Sequence, residues 1–259
     1  MTKLAANLSM LFTEHAFMQR FEAAAQAGFA AVEFLFPYAF DAQQIAAELR
    51  LHQLALVLHN LPAGNWEAGE RGIACHPDRV TEFQEGVALA LRYAKVLGVT
   101  QLNCLAGIVP PGVSQQAAQL TLVSNLIYAA TQLKSAGIRL LIEPINTFDI
   151  PGFFLSHTQQ ALDLIADTGS DNLFLQYDIY HMQRMEGELI NTIKANLPMI
   201  KHLQLADNPG RFEPGTGEIN YHSLFAALTA MDYQGWIGCE YKPQAGTLAG
   251  LSWRAVHGV

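Results

Sequence analysis

The segment LFLQYD at residues 173–178 is a short apolar run that ends on a carboxylate, Asp178. Three further apolar runs end on a side chain with a ligand oxygen: LLIE on Glu143, KHLQ on Gln204 and WIGCE on Glu240. A carboxylate at the end of a buried strand destabilises a fold by several kcal/mol unless a partner compensates it. We therefore expect these four strand ends to converge on one divalent cation at the mouth of a barrel.

Short apolar segments alternate with longer stretches of helical periodicity along the whole chain, which is the pattern of a repeated βα unit. The eight strands are predicted at about 4–9, 31–36, 54–59, 100–105, 138–143, 173–178, 200–205 and 236–241. Helix starts are predicted at Asp41, at Pro77–Asp78 and at Asn220, and a helix end at Gly28. In a chain of 259 residues this order predicts an α/β fold with one domain over residues 1–259, a single (β/α)8 TIM barrel.

The other predicted strands also carry polar residues at or near their C-terminal ends, namely Asn7, Glu33, His59 and Asn103. In a barrel these ends form the active-site face. His59 is therefore a candidate for substrate binding.

The loop after the third strand, at about 60–78, is the longest insertion in the βα pattern. Its Gly and polar residues, together with Trp66, favour a lid over the pocket. A plain surface loop fits the same composition equally well.

The net charge of the chain restricts the kinds of molecule that it can bind. A formal charge of −8 and a pI near 5.5 argue against nucleic acid, because binding to its phosphates requires a basic surface. An anionic substrate would need a local cation, and Arg211 is the best candidate since its planar fork binds two oxygens at once. His181 follows the strand end at Asp178 closely enough to reach a bound oxyanion or carbonyl.

Cysteine usage and hydropathy indicate a cytoplasmic protein with no membrane partner. Cys75, Cys104 and Cys239 form no CxxC pair, and the last two lie in apolar strand runs where a free Cys is usually buried. We find no basic and apolar signal segment and no apolar run of about 18 residues. A homo-oligomer is compatible with this composition.

Long, specific strings run through nearly the whole chain. They are ANLSMLF at 6–12, VEFLFPY at 32–38, HNLPAG at 59–64, WEAGERGIAC at 66–75, LIEPINTFDIPGF at 141–153, QYDIYHMQRMEGEL at 176–189, ADNPGRFEPGTGEINY at 206–221 and GCEYKP at 238–243. Together they resemble the hydroxypyruvate isomerases of the xylose-isomerase-like barrel superfamily.

The resemblance implies reversible conversion of hydroxypyruvate into 2-hydroxy-3-oxopropanoate, within glyoxylate metabolism. Glu143 and Glu240 match the family's acid/base pair, and the same two residues with Asp178 and Gln204 match its metal ligands. Related sugar epimerases usually have His at the third ligand position, so Gln204 departs from the wider superfamily.

The expected chemistry agrees with the residues. An all-oxygen ligand set suits Mg²⁺ or Mn²⁺ and argues against structural zinc. Moving a carbonyl from C2 to C3 removes a proton from one carbon and returns one to its neighbour through an enediolate, whose charge must be stabilised. We expect Glu143 and Glu240 to transfer the proton, and His181 and Arg211 to orient the substrate and its carboxylate.

Three alternatives remain open. The first is an isomerase or epimerase for 2-oxotetronate or a related sugar acid. The second is a metal-dependent phosphodiesterase or DNA-repair nuclease, although such enzymes usually require several metals, more His ligands and a basic surface. The third is a catalytically silent barrel that binds a sugar acid as a sensor.

Overall fold

The computed structural model describes residues 2–259 and forms a closed barrel of eight parallel strands in sequential order. The strands are β1 (Lys3–Asn7), β2 (Ala31–Glu33), β3 (Ala55–Asn60), β4 (Gln101–Cys104), β5 (Arg139–Ile142), β6 (Leu173–Asp178), β7 (Ile200–Leu205) and β8 (Trp236–Cys239). β8 pairs back onto β1, which closes the sheet. The predicted α/β barrel is confirmed.

Helices connect the strands on the outside of the barrel. They are α1 (Arg20–Gln26), α2 (Ala42–Leu51), α3 (Val80–Leu97), α4 (Gln115–Ser135), α5 (Thr158–Thr168), α6 (Ile179–Met185), α7 (Leu189–Asn196), α8 (Tyr221–Ala230), α9 (Thr247–Gly250) and α10 (Trp253–His257), with short 3-10 helices at Phe17–Gln19 and Pro77–Arg79. The Asp41 carboxylate caps α2 by accepting from the N–H of Gln43 at 2.9 Å, and the Asn220 side chain caps α8 through Ser223.

The strand predictions are right in number and order, and most boundaries differ by a few residues. β6 and β7 have the predicted bounds, whereas β2 is shorter and ends at Glu33 because its register with β3 shifts between Val32 and Glu33. Glu143 lies one residue beyond β5, since Pro144 has no N–H to continue the ladder.

The barrel interior is layered, because side chains two residues apart on a strand share a face. A small apolar cluster that includes Ala5, Ala31 and Leu141 forms a layer across the barrel. Asn7 and Glu143 stand two residues further along the same faces of β1 and β5. On β1 and β5 the polar strand ends therefore rest on an apolar layer.

The loop between β3 and the Pro77–Arg79 helix is packed against its surroundings. The ring of Trp66 lies 5.0 Å from that of Phe36, and the Arg71 guanidinium lies 4.2 Å above the Trp66 ring. Gly72 has a φ of 115° and an added Cβ there would collide with the Leu105 carbonyl. The role of this loop as a lid stays a prediction.

All three cysteines are free and buried, in agreement with a core role. Within residues 2–259, no helix combines the length and the apolar character that a membrane crossing requires.

Candidate active site

Four side chains from three strand ends form a buried cluster at the C-terminal mouth of the barrel. Glu143, Asp178, His181 and Glu240 each offer a ligand atom, and these atoms lie within 4.8 Å of one another. Asp178 ends β6, His181 lies in the first turn of α6, and the two glutamates directly follow β5 and β8. The structure thus brings together three of the four predicted metal ligands and adds His181.

The Asp178 carboxylate has one oxygen engaged by the backbone and one facing the cluster. Oδ1 accepts from the N–H groups of Tyr180 at 2.7 Å and His181 at 3.3 Å, which caps α6. Oδ2 is buried without a hydrogen-bond partner and lies 3.6 Å from both His181 Nε2 and Arg211 Nη2. A buried carboxylate oxygen without a hydrogen bond is a suitable ligand for a hard cation.

The surroundings of the cluster favour the protonated form of its carboxyl groups. Burial, followed by the neighbouring Glu240 and Asp178 carboxylates, raises the pKa of Glu143 well above its ordinary value. Burial raises the pKa of Glu240 to about 8 despite the opposing effect of Arg211, and it also raises the pKa of Asp178. The residues present therefore fit a divalent cation, whose charge would replace those protons.

Arg211 is the positive side chain of the cluster. Its guanidinium forms an ion pair with the Glu240 carboxylate, and its centre lies 5.3 Å from the Tyr180 ring. Its backbone has a φ of 58°, an uncommon value for a residue other than glycine. The buried Asp207 carboxylate holds this loop by accepting from four backbone N–H groups, those of Asn208, Gly215, Gly217 and Ile219.

The neighbours of His181 determine which ring nitrogen carries its proton. The Asn146 Oδ1 accepts from the backbone N–H of Asp149 at 2.8 Å, so Asn146 Nδ2 faces His181 Nδ1, at 2.6 Å. Nδ1 must accept this hydrogen bond, and Nε2 of the neutral ring therefore carries the hydrogen and points toward the carboxylates. Burial lowers the pKa of His181 well below its ordinary value, with Arg211 adding to the effect. This arrangement suits a hydrogen-bond donor to substrate better than a metal ligand.

Gln204, the fourth predicted ligand, lies on β7 directly beside Asp178 in register. Its Oε1 accepts from Gln176 Nε2 at 2.6 Å, and its Nε2 donates to Glu33 Oε1 at 2.8 Å. An amide oxygen has two acceptor positions, so Oε1 retains one for a cation. Coordination by Gln204 stays a prediction.

The contacts of His59 are with Phe34, Tyr38 and Asn60. Its ring stacks at 6.3 Å on Phe34, and its Nδ1 contacts the Asn60 carbonyl oxygen at 3.1 Å and the Tyr38 hydroxyl at 3.4 Å. Burial lowers the pKa of His59 to about 4, which leaves the ring neutral, and its Nε2 is buried without a partner. The proposed substrate contact of His59 stays a prediction.

Several polar residues that the sequence analysis left without a role support the cluster. Asn103 Nδ2 donates to Glu143 Oε2 at 3.0 Å and to Asn60 Oδ1 at 3.2 Å. Asn7 Nδ2 donates to Glu240 Oε1 at 3.2 Å. Asn7 and Asn103 were visible as polar strand ends, but their partners are not encoded in local spacing.

Comparison with known proteins identifies the family. A family model described as xylose isomerase-like TIM barrel matches residues 21–255. This chain belongs to that family. This chain is 59% identical to hydroxypyruvate isomerase of Escherichia coli (strain K12) over 98% of each chain. It is 44% identical to 2-oxo-tetronate isomerase of Cupriavidus necator, over 98% of this chain and 97% of that one. The resemblance inferred from the sequence motifs is confirmed.

A solved structure of high similarity carries a different description. The crystal structure of a Brucella melitensis protein described as AP endonuclease, family 2 has a TM-score of 0.96 and 44% identity, covering 99% of both chains. The same barrel, with the same length, is therefore present in both proteins.

Proposed function

We propose that this protein is a divalent-metal-dependent isomerase that interconverts hydroxypyruvate and 2-hydroxy-3-oxopropanoate. The observation that carries the proposal is the buried cluster in which Glu143 and Glu240, both with raised pKa values, face a shared site with Asp178. The 59% identity to the Escherichia coli enzyme over 98% of each chain supports the choice of substrate.

The cation would be held by the oxygens of Glu143, Asp178, Gln204 and Glu240. When bound, Mg²⁺ or Mn²⁺ supplies Lewis-acid stabilisation of the negative charge that develops on the substrate oxygens. The unpartnered Oδ2 of Asp178 and the all-oxygen donor set support this assignment.

Glu143 and Glu240 perform the proton transfer. One carboxylate takes the proton from the carbon that bears the hydroxyl group, and a carboxyl group returns a proton to the neighbouring carbon. The hydroxyl proton passes to the oxygen of the former carbonyl group, so the carbonyl moves between C2 and C3. The position of both groups in one buried cluster supports this role, because a general acid or base must lie within reach of the proton that it transfers. The enclosed position of both groups also excludes bulk water from the enediolate.

His181 and Arg211 bind and orient the substrate. The Nε2–H of His181 is directed into the cluster, where it can donate to an oxyanion or a carbonyl oxygen. The guanidinium of Arg211 lies beside Glu240 and Asp178, within reach of a substrate carboxylate at the same site. His59 is assigned a further substrate contact through its unpartnered Nε2.

The remaining assignments concern the domain, the lid, the cellular location and the partner. We assign residues 1–259 to one domain, the loop at about 60–78 to a lid, the cytoplasm as the location, and glyoxylate metabolism as the setting. The partner is a small 2-oxo or 2-hydroxy acid, with neither nucleic acid nor a membrane involved.

The second candidate substrate is 2-oxotetronate, because the Cupriavidus necator relative named for it is 44% identical. Steady-state kinetics on both acids at equal Mn²⁺ decides between them. A kcat/KM for hydroxypyruvate at least 10-fold above that for 2-oxotetronate is expected, and the reverse ratio would exchange the two assignments.

A DNA nuclease is the alternative suggested by the Brucella melitensis description. The formal charge of −8 and a cluster with one His and three carboxylates argue against it. Cleavage of duplex DNA with an abasic site on addition of zinc would support the nuclease instead.

Solvent exchange tests the isomerase directly. The protein is incubated in D₂O with hydroxypyruvate and Mn²⁺, and deuterium in substrate and product is measured by NMR. Deuterium on carbon is expected, since the carboxyl group that returns the proton exchanges it with D₂O between turnovers. Binding without exchange or turnover would identify a silent sugar-acid sensor.

A further inference from the structure

Glu33 is a buried carboxylate that the proposed reaction leaves without a role. Its side chain lies at the end of β2, and the residue is 1% exposed. Oε1 accepts from Asn7 Nδ2 at 2.9 Å and from Gln204 Nε2 at 2.8 Å, and Oε2 lies 2.6 Å from His202 Nε2. Three donors thus converge on one carboxylate from two other strands, β1 and β7.

These contacts determine how Gln204 presents its amide. A carboxylate only accepts hydrogen bonds, so the NH₂ group of Gln204 must face Glu33 and its oxygen must face the other way. The Nε2 of Gln176 donates to that oxygen at 2.6 Å, which agrees with this orientation. The oxygen is the atom that a cation requires.

Glu33 also reaches Glu240 through Asn7. The Asn7 Oδ1 accepts from the backbone N–H of Ser9 at 3.0 Å, which fixes the orientation of its amide. Its NH₂ group then donates both to Glu33 and, at 3.2 Å, to Glu240 Oε1. One carboxylate therefore positions two of the four proposed metal ligands.

The chain leaves room for Glu33 at Gly238. A Cβ added to Gly238 would come closer to both Glu33 carboxylate oxygens than real Cβ atoms come to any neighbour. Gly238 has ordinary backbone dihedrals, so the requirement is space for the carboxylate and not conformational freedom. Gly238 pairs in register with Gln204, which places this space beside the amide that Glu33 contacts.

We propose that Glu33 is a positioning residue of the metal centre, which sets the amide of Gln204 with its oxygen toward the cation and holds Asn7 against Glu240. The inference rests on the proposed metal-dependent function. Groups that orient metal ligands typically contribute about 10- to 100-fold to metal affinity.

The test measures Mn²⁺ affinity without turnover. Free Mn²⁺ is titrated by EPR against the full-length protein and against Glu33→Gln, a variant of the same shape whose amide no longer accepts through both oxygens. Mn²⁺ binding is expected to weaken by about 10- to 100-fold. At saturating Mn²⁺, kcat is expected to return toward the unaltered value, because Glu33 touches no reacting atom.

Glu186→Gln is the matched control. Glu186 accepts from the Thr158 hydroxyl at 2.9 Å and forms no hydrogen bond or ion pair with the four residues of the cluster, so its loss is expected to lower the melting temperature without changing Mn²⁺ affinity. Should Glu33→Gln fail to fold, Glu33→Asp retains the charge, withdraws it by one methylene group, and is expected to weaken Mn²⁺ binding to an intermediate degree.

The outcomes separate two failures. If the unaltered protein binds no Mn²⁺, the proposed metal centre and this inference both fall. If the unaltered protein binds Mn²⁺ tightly and the folded Glu33 variant binds it within about twofold, only the role of Glu33 is overturned.

Discussion

The two mouths of the barrel are built from the same strand faces yet carry opposite charges. Along β5, residues two positions apart share a face, and they run from Arg139 through Leu141 to Glu143. The same order is found on β8, from Trp236 through Gly238 to Glu240. It is also found on β1, from Lys3 through Ala5 to Asn7. On these three strands the N-terminal mouth therefore presents basic and aromatic side chains, the middle layer small or apolar ones, and the C-terminal mouth carboxylates and amides.

The two mouths differ in whether their charged side chains reach water. At the N-terminal mouth, Lys3 and Lys201 lie over the Trp236 and Phe174 rings and donate to backbone carbonyls, beside an open cavity of about 610 Å³. Their long stems carry the charge to water. The carboxylates at the other mouth, Glu143, Asp178 and Glu240, are buried, so their charge is unfavourable unless a proton or a counter-charge such as that of Arg211 compensates it. The charges of the basic mouth thus reach water, whereas those of the acidic mouth depend on compensation within the protein.

The largest expected effect is the loss of turnover in Glu240→Gln. Removal of a general acid or base costs about 100- to 10,000-fold in kcat, with the fold retained because Gln preserves the shape. The rate of hydroxypyruvate isomerisation measures it, and circular dichroism verifies the fold. Near-normal turnover in this variant would mean that Glu240 is not part of the proton-transfer pair.

The second effect is a dependence of stability on pH in the metal-free protein. In the unfolded chain Glu240 ionises near its ordinary pKa of 4.5, whereas in the folded protein it does so at about 8, so the folded state binds more protons over this interval. Stability must then fall as pH rises from 4.5 to 8. His59 and His181 have lowered pKa values, so they make stability rise with pH, but only below about pH 6.5. Between pH 6.5 and 8, the change in stability therefore reports on the carboxyl groups.

Thermal unfolding in EDTA measures this pH effect. One pKa unit corresponds to about 1.4 kcal/mol and each kcal/mol to about 2–4 °C for a chain of this size, so a decrease of several degrees is expected. Saturating Mn²⁺ should diminish the decrease, since the cation stabilises the ionised carboxylates. A melting temperature that rises between pH 6.5 and 8 in EDTA would contradict the raised pKa values.

A smaller effect is expected in Asn146→Leu. The variant removes the donor to His181 Nδ1, which allows the hydrogen to leave Nε2 and weakens the donor that faces the substrate. One neutral hydrogen bond is worth about 0.5–1.5 kcal/mol, so kcat should fall by about 2- to 10-fold at unchanged Mn²⁺ affinity. Loss of Mn²⁺ affinity in place of kcat would instead make His181 a metal ligand.

The smallest effect tests the N-terminal mouth. Arg139→Gln, on the same face of β5 as Glu143, should change neither kcat nor KM by more than about twofold, because the side chain is exposed and forms no ion pair within residues 2–259. The paired variant Glu143→Gln should lose turnover as Glu240→Gln does. Equal losses at both ends of β5 would show that the two mouths are not functionally distinct.

Much of the fold could be predicted because its signals are local. Alternation of apolar runs with helical periodicity is read within each βα unit, and caps such as Asp41 and Asn220 act over three residues. The position of Glu143, Asp178, Gln204 and Glu240 at strand ends follows from the same pattern. Strand boundaries were less accurate, since the β2 bulge depends on pairing with β3.

The supporting contacts of the site could not be predicted because they join distant parts of the chain. Glu33 and His202 are 169 residues apart, and Asn7 and Glu240 are 233 apart. The ion pair of Arg211 with Glu240 and the orientation of His181 by Asn146 likewise depend on how separate loops meet.

The sequence by itself determined an eight-stranded barrel whose C-terminal mouth is polar, because strand periodicity and turn chemistry act between residues that are close in the chain. Only the tertiary structure decided which donor faces which acceptor, and therefore which ring nitrogen of His181 carries the hydrogen and which atom of Gln204 faces Glu33. Hydrogen-bond direction depends on three-dimensional proximity, and closure of the barrel is what brings β1, β2, β7 and β8 within that distance.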